Sequence, residues 1–232
     1  MKIPRKSITL AVVILCCEIA FGQGFVNLGF ENTTLTPILV NPLSGYYATN
    51  ATVPGWDWSP HGTFGNGDPN TTVAFNNLAL DAPYVTLHGT NDPYGYTAIR
   101  GKYSILLQGG SPFVSSASYA SIGQTGQIPS TAASIIYWGG ALQVTFNGQP
   151  LAFNAISNAP NYTIWGADIL AYAGQTGQLL FTTPWQTSAF LDNIQFSSSP
   201  VPEPSILSLL SICFPFVVWR KTLINTKMGS KL

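Results

Sequence analysis

Between residues 23 and 200, Gly, Pro, Asn and Thr recur too densely for any window to hold an apolar stripe at helical spacing, so no stable amphipathic helix can form there. The same interval carries short β-rich runs: Val73 to Phe75, Tyr84 to His88, Tyr103 to Gln108, Ser118 to Gln124, Ala133 to Trp138, Ala141 to Phe146, Gln178 to Thr183 and Ala189 to Phe196. Turn-forming clusters such as Gly65-Asn66-Gly67-Asp68-Pro69-Asn70 and Gly139-Gly140 punctuate them. That spacing predicts an all-β chain, a single antiparallel β-sandwich of the jelly-roll kind. One hairpin can be placed in register. Asn147-Gly148 is a two-residue type I′ turn, which sets Phe146 opposite Gln149, Val144 opposite Leu151 and Leu142 opposite Phe153. Pro150 then falls opposite Thr145 with no N–H to offer a further strand, so this arm of the hairpin is expected at a sheet edge.

The two ends of the chain differ from its middle. Lys2, Arg5 and Lys6 precede an apolar run from Ile8 to Cys17 and then small residues at Ala20 and Gly22, the order of a secretory signal peptide cleaved after Gly22. At the other end the apolar stretch Ile206 to Trp219 is followed at once by Arg220 and Lys221. As a helix it reaches roughly 21 Å against a hydrocarbon core of roughly 30 Å, a short span whose basic flank belongs in the cytoplasm. The expected organisation is a signal peptide over 1–22, the β-sandwich over 23–199, a sorting segment over 200–221 with its membrane helix at 206–219, and a basic cytoplasmic tail over 222–232. This places the protein in the cell envelope or at the cell surface, membrane-anchored through the C-terminal helix until processed.

Charge and cysteine usage narrow the function. From Gln23 to Pro200 there are seven acids (Glu31, Asp57, Asp68, Asp81, Asp92, Asp168, Asp192) against two bases (Arg100, Lys102), a net of minus five. Nucleic acid is an unsuitable partner for such a surface, because phosphate binding needs Lys and Arg. Solubility must come from Asn, Gln, Ser, Thr and Gly, and a polar uncharged surface suits sugars and hydrated matrices. Cys16, Cys17 and Cys213 all lie in the apolar ends, which leaves the middle without disulfides or thiolate chemistry.

Val201-Pro202-Glu203-Pro204, the apolar segment and the Arg220-Lys221 flank resemble the PEP-CTERM sorting signal of Gram-negative bacteria. The resemblance covers 201–221 and implies a partner, an exosortase-type enzyme that recognises Pro202, Glu203 and Pro204 while the protein passes the inner membrane. It departs from the family pattern at Pro215 and in the tail beyond Lys221. The middle of the chain resembles galactose-binding-like jelly rolls of carbohydrate-binding modules through Asn27-Leu28-Gly29-Phe30-Glu31, Pro54-Gly55-Trp56, Tyr103-Ser104-Ile105-Leu106-Leu107, Ile122-Gly123-Gln124 and Leu191-Asp192-Asn193-Ile194. That likeness implies a structural Ca²⁺ held by Glu31 near the start and Asp192 near the end. The chemistry agrees, since two carboxylates brought together repel unless a cation or donors intervene. The alternative is that both accept backbone N–H bonds in turns.

Trp56, Trp58, Tyr94 and Tyr96 fall in loops with Asp57, Asn91 and Asp92, a set that could stack on a sugar ring and bond its hydroxyl rim. The competing reading buries Trp56 behind its Pro-Gly turn; Trp138 and Trp165 are assigned to the core. His61 and His88 are the only histidines, and neither sits in a metal spacing or beside a nucleophile motif, so no enzyme activity is expected. Two functions lead, and a glycan hydrolase stands behind them, because a carboxylate pair for glycoside cleavage is brought together only by the fold. One is a structural or surface-display role in the envelope or extracellular matrix. The other is a carbohydrate-binding module for exopolysaccharide or an external glycan.

Overall fold

The computed structural model describes residues 24–41, 46–61, 72–77, 82–112 and 117–201. The signal peptide with Gly22, the sorting motif Pro202, Glu203 and Pro204, the helix at 206–219 and the pair Arg220 and Lys221 lie outside the described residues. Among the described residues no helix is long and apolar enough to cross a membrane.

The described strands are β1 Thr34–Asn41, β2 Tyr46–Thr52, β3 Asp57–His61, β4 Thr72–Phe75, β5 Pro83–His88, β6 Ser104–Gly109, β7 Tyr119–Gln127, β8 Ser134–Gly139, β9 Gln143–Phe146, β10 Gln149–Pro150, β11 Asn154–Asn158, β12 Thr163–Asp168, β13 Thr176–Pro184 and β14 Ser188–Ser197, with one 3-10 turn at Leu170–Tyr172. They form a nine-stranded sheet in the order β1-β2-β4-β5-β6-β14-β8-β12-β11 and a five-stranded sheet in the order β10-β9-β13-β7-β3. The sheets pack on one another through β3, β5, β6, β7 and β13. They are not closed into a barrel.

Alternation on each strand produces this layering. On β13, Leu179, Phe181 and Thr183 point inward and their neighbours outward. The nine-stranded sheet answers with Val85, Leu87, Ile105, Leu107, Tyr137 and Leu191, and the five-stranded sheet adds Ile122, Val144 and Phe146. The hairpin at Asn147-Gly148 has the register expected of it, with Phe146 opposite Gln149 and Thr145 opposite Pro150, and β10 is an edge strand. Pairing ends there, because β10 stops at Pro150; Leu151 still donates to Val144 O at 2.9 Å, but no strand pairing sets Leu142 opposite Phe153.

The expected all-antiparallel arrangement needs correction. β4 and β5 run parallel, with Ala74 opposite Thr86 and Phe75 opposite Leu87. Asn76 is the local reason. It leaves β4 in the left-handed region (φ 47°), and its side chain takes the N–H of Gly89 at 2.9 Å and donates to Thr90 O at 3.0 Å. Those bonds tie the end of β4 to the end of β5, so the two strands finish together and do not meet as a hairpin.

Candidate functional site

Glu31 and Asp192 come together as expected, on either side of the segment 99–104. Asn27 (φ 52°) and Phe30 (φ 59°) make a tight turn that buries Phe30 against Trp56 and leaves Glu31 outside. The Glu31 carboxylate accepts the N–H of Lys102 at 2.8 Å and of Tyr103 at 3.3 Å. Gly101 makes the approach feasible, since it sits at φ 69° and a Cβ there would overlap the carboxylate. Asp192 is 1% exposed and accepts the N–H of Arg100 at 2.8 Å, the hydroxyl of Ser104 at 2.8 Å and the N–H of Asn193 at 2.5 Å. Burial pushes its carboxyl up to about 6; the three hydrogen bonds oppose that shift and the nearby Glu31 charge adds to it.

This is the arrangement of carboxylates satisfied by backbone N–H groups. Two carboxylates are a donor set that Ca²⁺ accepts, and here five N–H and O–H donors, on Arg100, Lys102, Tyr103, Ser104 and Asn193, take up part of their acceptor capacity. Among the described residues no group of three or more His, Cys, Asp or Glu is placed to hold a metal.

The seven residues expected to form a sugar platform do not assemble. Trp56 and Trp58 are 4% and 7% exposed and belong to the core, so neither offers a face to a ligand. Alternation on β3 explains it: Trp58 points inward, and Trp56 is locked by its indole N–H on Asn27 O at 3.0 Å and its ring on Phe181. Asp57 is exposed on the five-stranded sheet, away from the other polar candidates. Asn91, Asp92, Tyr94 and Tyr96 lie together in the loop 89–103. There Asp92 is a structural residue, its side chain fully buried, bonded to His88 Nδ1 and accepting the Tyr94 N–H at 2.7 Å. Asn91 (φ 61°) turns the chain. Tyr94 and Tyr96 remain 49% and 38% exposed.

The loop folds over the outer face of the nine-stranded sheet. His88, directed outward from β5, is covered by Tyr96 (ring centroids 5.1 Å) and Phe190 (5.6 Å), and Tyr96 also meets Phe190 at 5.4 Å. Burial lowers the His88 pKa against the opposing pull of Asp92. Trp138, expected in the core, instead faces outward from β8; Tyr162 stacks flat on it at 4.9 Å and 5°, and the Arg100 guanidinium lies 5.6 Å from its ring. Trp165 packs against the core as expected, partly buried, with its indole N–H on Gly139 O at 3.3 Å.

Between these two aromatic groups lies an open cleft of about 410 Å³. Tyr96, Leu106 and Phe190 form one side, Tyr162 and the turn Ala159–Tyr162 the other, and Gln108, Asn161, Thr163 and Ser188 add amide and hydroxyl groups. The pairs Phe190–Leu106 and Ser188–Gln108 are cross-strand neighbours on that face. Gly139 and Gly140 keep the floor low, because a Cβ on Gly139 would strike the carbonyl of Phe190. Ala159 N–H to Tyr162 O at 2.8 Å fixes the turn that holds Tyr162. Sequence reasoning named Tyr96 among these residues but not Phe190, Tyr162, Gln108 or Asn161, which come from distant segments.

No family model matches the chain, and no curated protein matches it. Among solved structures it is similar to the enzymatically active domain of tailspike protein 4 from bacteriophage CBA120, at 12% identity and a TM-score of 0.35, over 62% of this chain and 19% of that one.

Proposed function

We propose that this chain is an exported envelope protein that holds a polysaccharide in the cleft on the outer face of its nine-stranded sheet. The observation that carries the reading is the composition of the cleft: aromatic rings at Tyr96, Tyr162 and Phe190 with uncharged donors and acceptors at Gln108, Asn161, Thr163 and Ser188. A sugar offers C–H groups on one face and hydroxyls on its rim, which is the complement of such a wall. None of the described lining residues is an acid or a histidine, and the reading is therefore one of binding.

The envelope location is carried by the sequence of the two ends. The signal peptide delivers the β domain outward, the span at 206–219 holds it at the membrane, and an exosortase-type enzyme acts at Pro202-Glu203-Pro204. Mass determination of the mature termini from envelope fractions tests this. Termini at Gln23 and near Pro204 support it, and an intact Met1 with an intact Leu232 removes it.

The binding reading is tested by retention on immobilised polysaccharides. Tyr162→Ala removes one aromatic wall and is expected to lose roughly two- to tenfold in affinity, in line with about 0.5–1.5 kcal/mol for a ring contact. Equal retention of the variant and the parent would exclude the cleft. A second reading, display in the matrix without a ligand, is favoured by the burial of Trp56 and Trp58, and it is the reading left standing if no glycan is retained. No release of reducing ends is expected from any glycan that binds.

A further inference from the structure

Two further depressions adjoin the cleft and share lining residues with it. Gln108 and Ser188 also line a hollow of about 160 Å³ that continues to Ala82, Ser111 and Gln186. Tyr96 also lines a hollow of about 310 Å³ under the loop 89–102. The cleft and the first hollow together reach from Thr163 on β12 across β8, β14 and β6 to Ala82, just before β5, and these strands are consecutive neighbours in the sheet. Four inter-strand spacings make this roughly 19 Å, more than one sugar ring can fill. Along this line the side chains are amides, hydroxyls, aromatics and small residues, with no acid or base among the lining residues. Of the described charges around it, Arg100 lies over Trp138 and donates to Asn193 Oδ1 at 3.2 Å, Asp92 is buried on His88, and Lys102 lines the adjoining hollow under the loop, outside this line.

Resting on the glycan reading of the cleft, we infer that the ligand is a linear, uncharged polysaccharide lying across the strands from Tyr162 to Ala82, bound along its length and not by a single terminal sugar. A trough of this length gains affinity from each further ring it contacts, so a short oligosaccharide leaves part of it empty. A trough without cations gives a uronate or sulfate group no partner once its water is stripped, which makes anionic chains the poorer ligands. Amide side chains such as Gln108, Asn161 and Gln186 supply both donor and acceptor, as neutral hydroxyls require.

The test uses the full-length protein in mild detergent and three neutral linear series, gluco-, xylo- and manno-oligosaccharides of increasing length, beside oligogalacturonates of the same lengths. In at least one neutral series affinity is expected to rise with length to a plateau, with the galacturonates weaker at every length. Gln186→Ala, in the second hollow and outside the cleft, is expected to lose several-fold for the long members and nothing for the short ones, whereas Tyr162→Ala weakens both. Affinity that does not grow with length, galacturonates that bind as well as neutral chains, or no binding in any neutral series overturns this inference. If Tyr162→Ala still reduces retention on some immobilised polysaccharide in those cases, the cleft survives as a glycan site with a different ligand. If Tyr162→Ala changes nothing on any polysaccharide, both readings fall together.

Discussion

Asp192 concentrates the electrostatic tension of the molecule. Its carboxyl is buried, lies near Glu31 and titrates near 6 against an ordinary 3.8, so the folded state holds its proton more tightly than the unfolded chain does. A raised carboxyl contributes stability that is complete below the unfolded value and is lost as pH rises through the folded one. The parent protein is therefore expected to gain about 2 kcal/mol relative to Asp192→Asn on going from pH 8 to pH 4, because the amide stays neutral throughout. Urea melts of the two proteins at several pH values measure the difference directly, and parallel pH profiles would show that Asp192 titrates normally. His88 acts in the opposite direction: its lowered pKa favours the neutral ring, and stability from that source falls as pH drops below about 6.5. Referencing to Asp192→Asn cancels this contribution. The same comparison examines calcium. An ion on Glu31 and Asp192 keeps Asp192 ionised and flattens the profile, and a profile unchanged by millimolar Ca²⁺ assigns both carboxylates to the loop alone.

The loop 89–103 is the element that makes the site, and its glycines separate conformation from contact. Gly95 (φ 79°) has open space where a Cβ would go, whereas Gly101 (φ 69°) abuts the Glu31 carboxylate. Gly95→Ala is expected to cost about 1 kcal/mol, the penalty of a left-handed backbone for a residue with a side chain. Gly101→Ala should cost more, because Glu31 must also give up its N–H bonds to Lys102 and Tyr103. Equal melting temperatures for the two variants would show that the Glu31 clamp contributes little. The sequence carried only part of this loop's role. The turn formers Asn91, Asp92 and Gly95 mark a turn plainly, but nothing local says that the turn lies on a sheet. The usable signal was β6, whose Ile105-Leu106-Leu107 is buried on both faces and reads as a continuous apolar run without alternation. A strand of that kind must be covered on its second face, and Tyr96 and Phe190 belong to the cover. The strands at Tyr84 to His88 and Gln178 to Thr183 were legible because Val, Leu, Phe and Thr suit a pleated surface. β11, Asn-Ala-Ile-Ser-Asn, was not; all five residues are exposed and it holds its place only by pairing with β12. Asn147-Gly148 fixed its hairpin because both residues need positive φ, which they have at 49° and 75°.

For the whole molecule, the two faces of the nine-stranded sheet divide the work. The inner face meets the five-stranded sheet in one apolar core that takes in Trp56 and Trp58, and the outer face carries a second, smaller aromatic layer open to solvent. Stability and binding should therefore separate by face. Trp58→Ala empties a large volume between the sheets, and about 3–5 kcal/mol is expected, a large part of the roughly 5–15 kcal/mol that holds a domain together. Tyr162→Ala removes a ring stacked on one side of Trp138 and should cost only about 1 kcal/mol of folding stability. Below its melting temperature Trp58→Ala should bind glycan as the parent does once the folded fraction is taken into account, while Tyr162→Ala should melt close to the parent and bind weakly. Thermal melts paired with binding isotherms on the same samples make the comparison. Loss of binding by folded Trp58→Ala would mean that the core sets the shape of the cleft through the sheet, since β6, β8 and β14 carry core residues on one face and cleft or ring-stacking residues on the other.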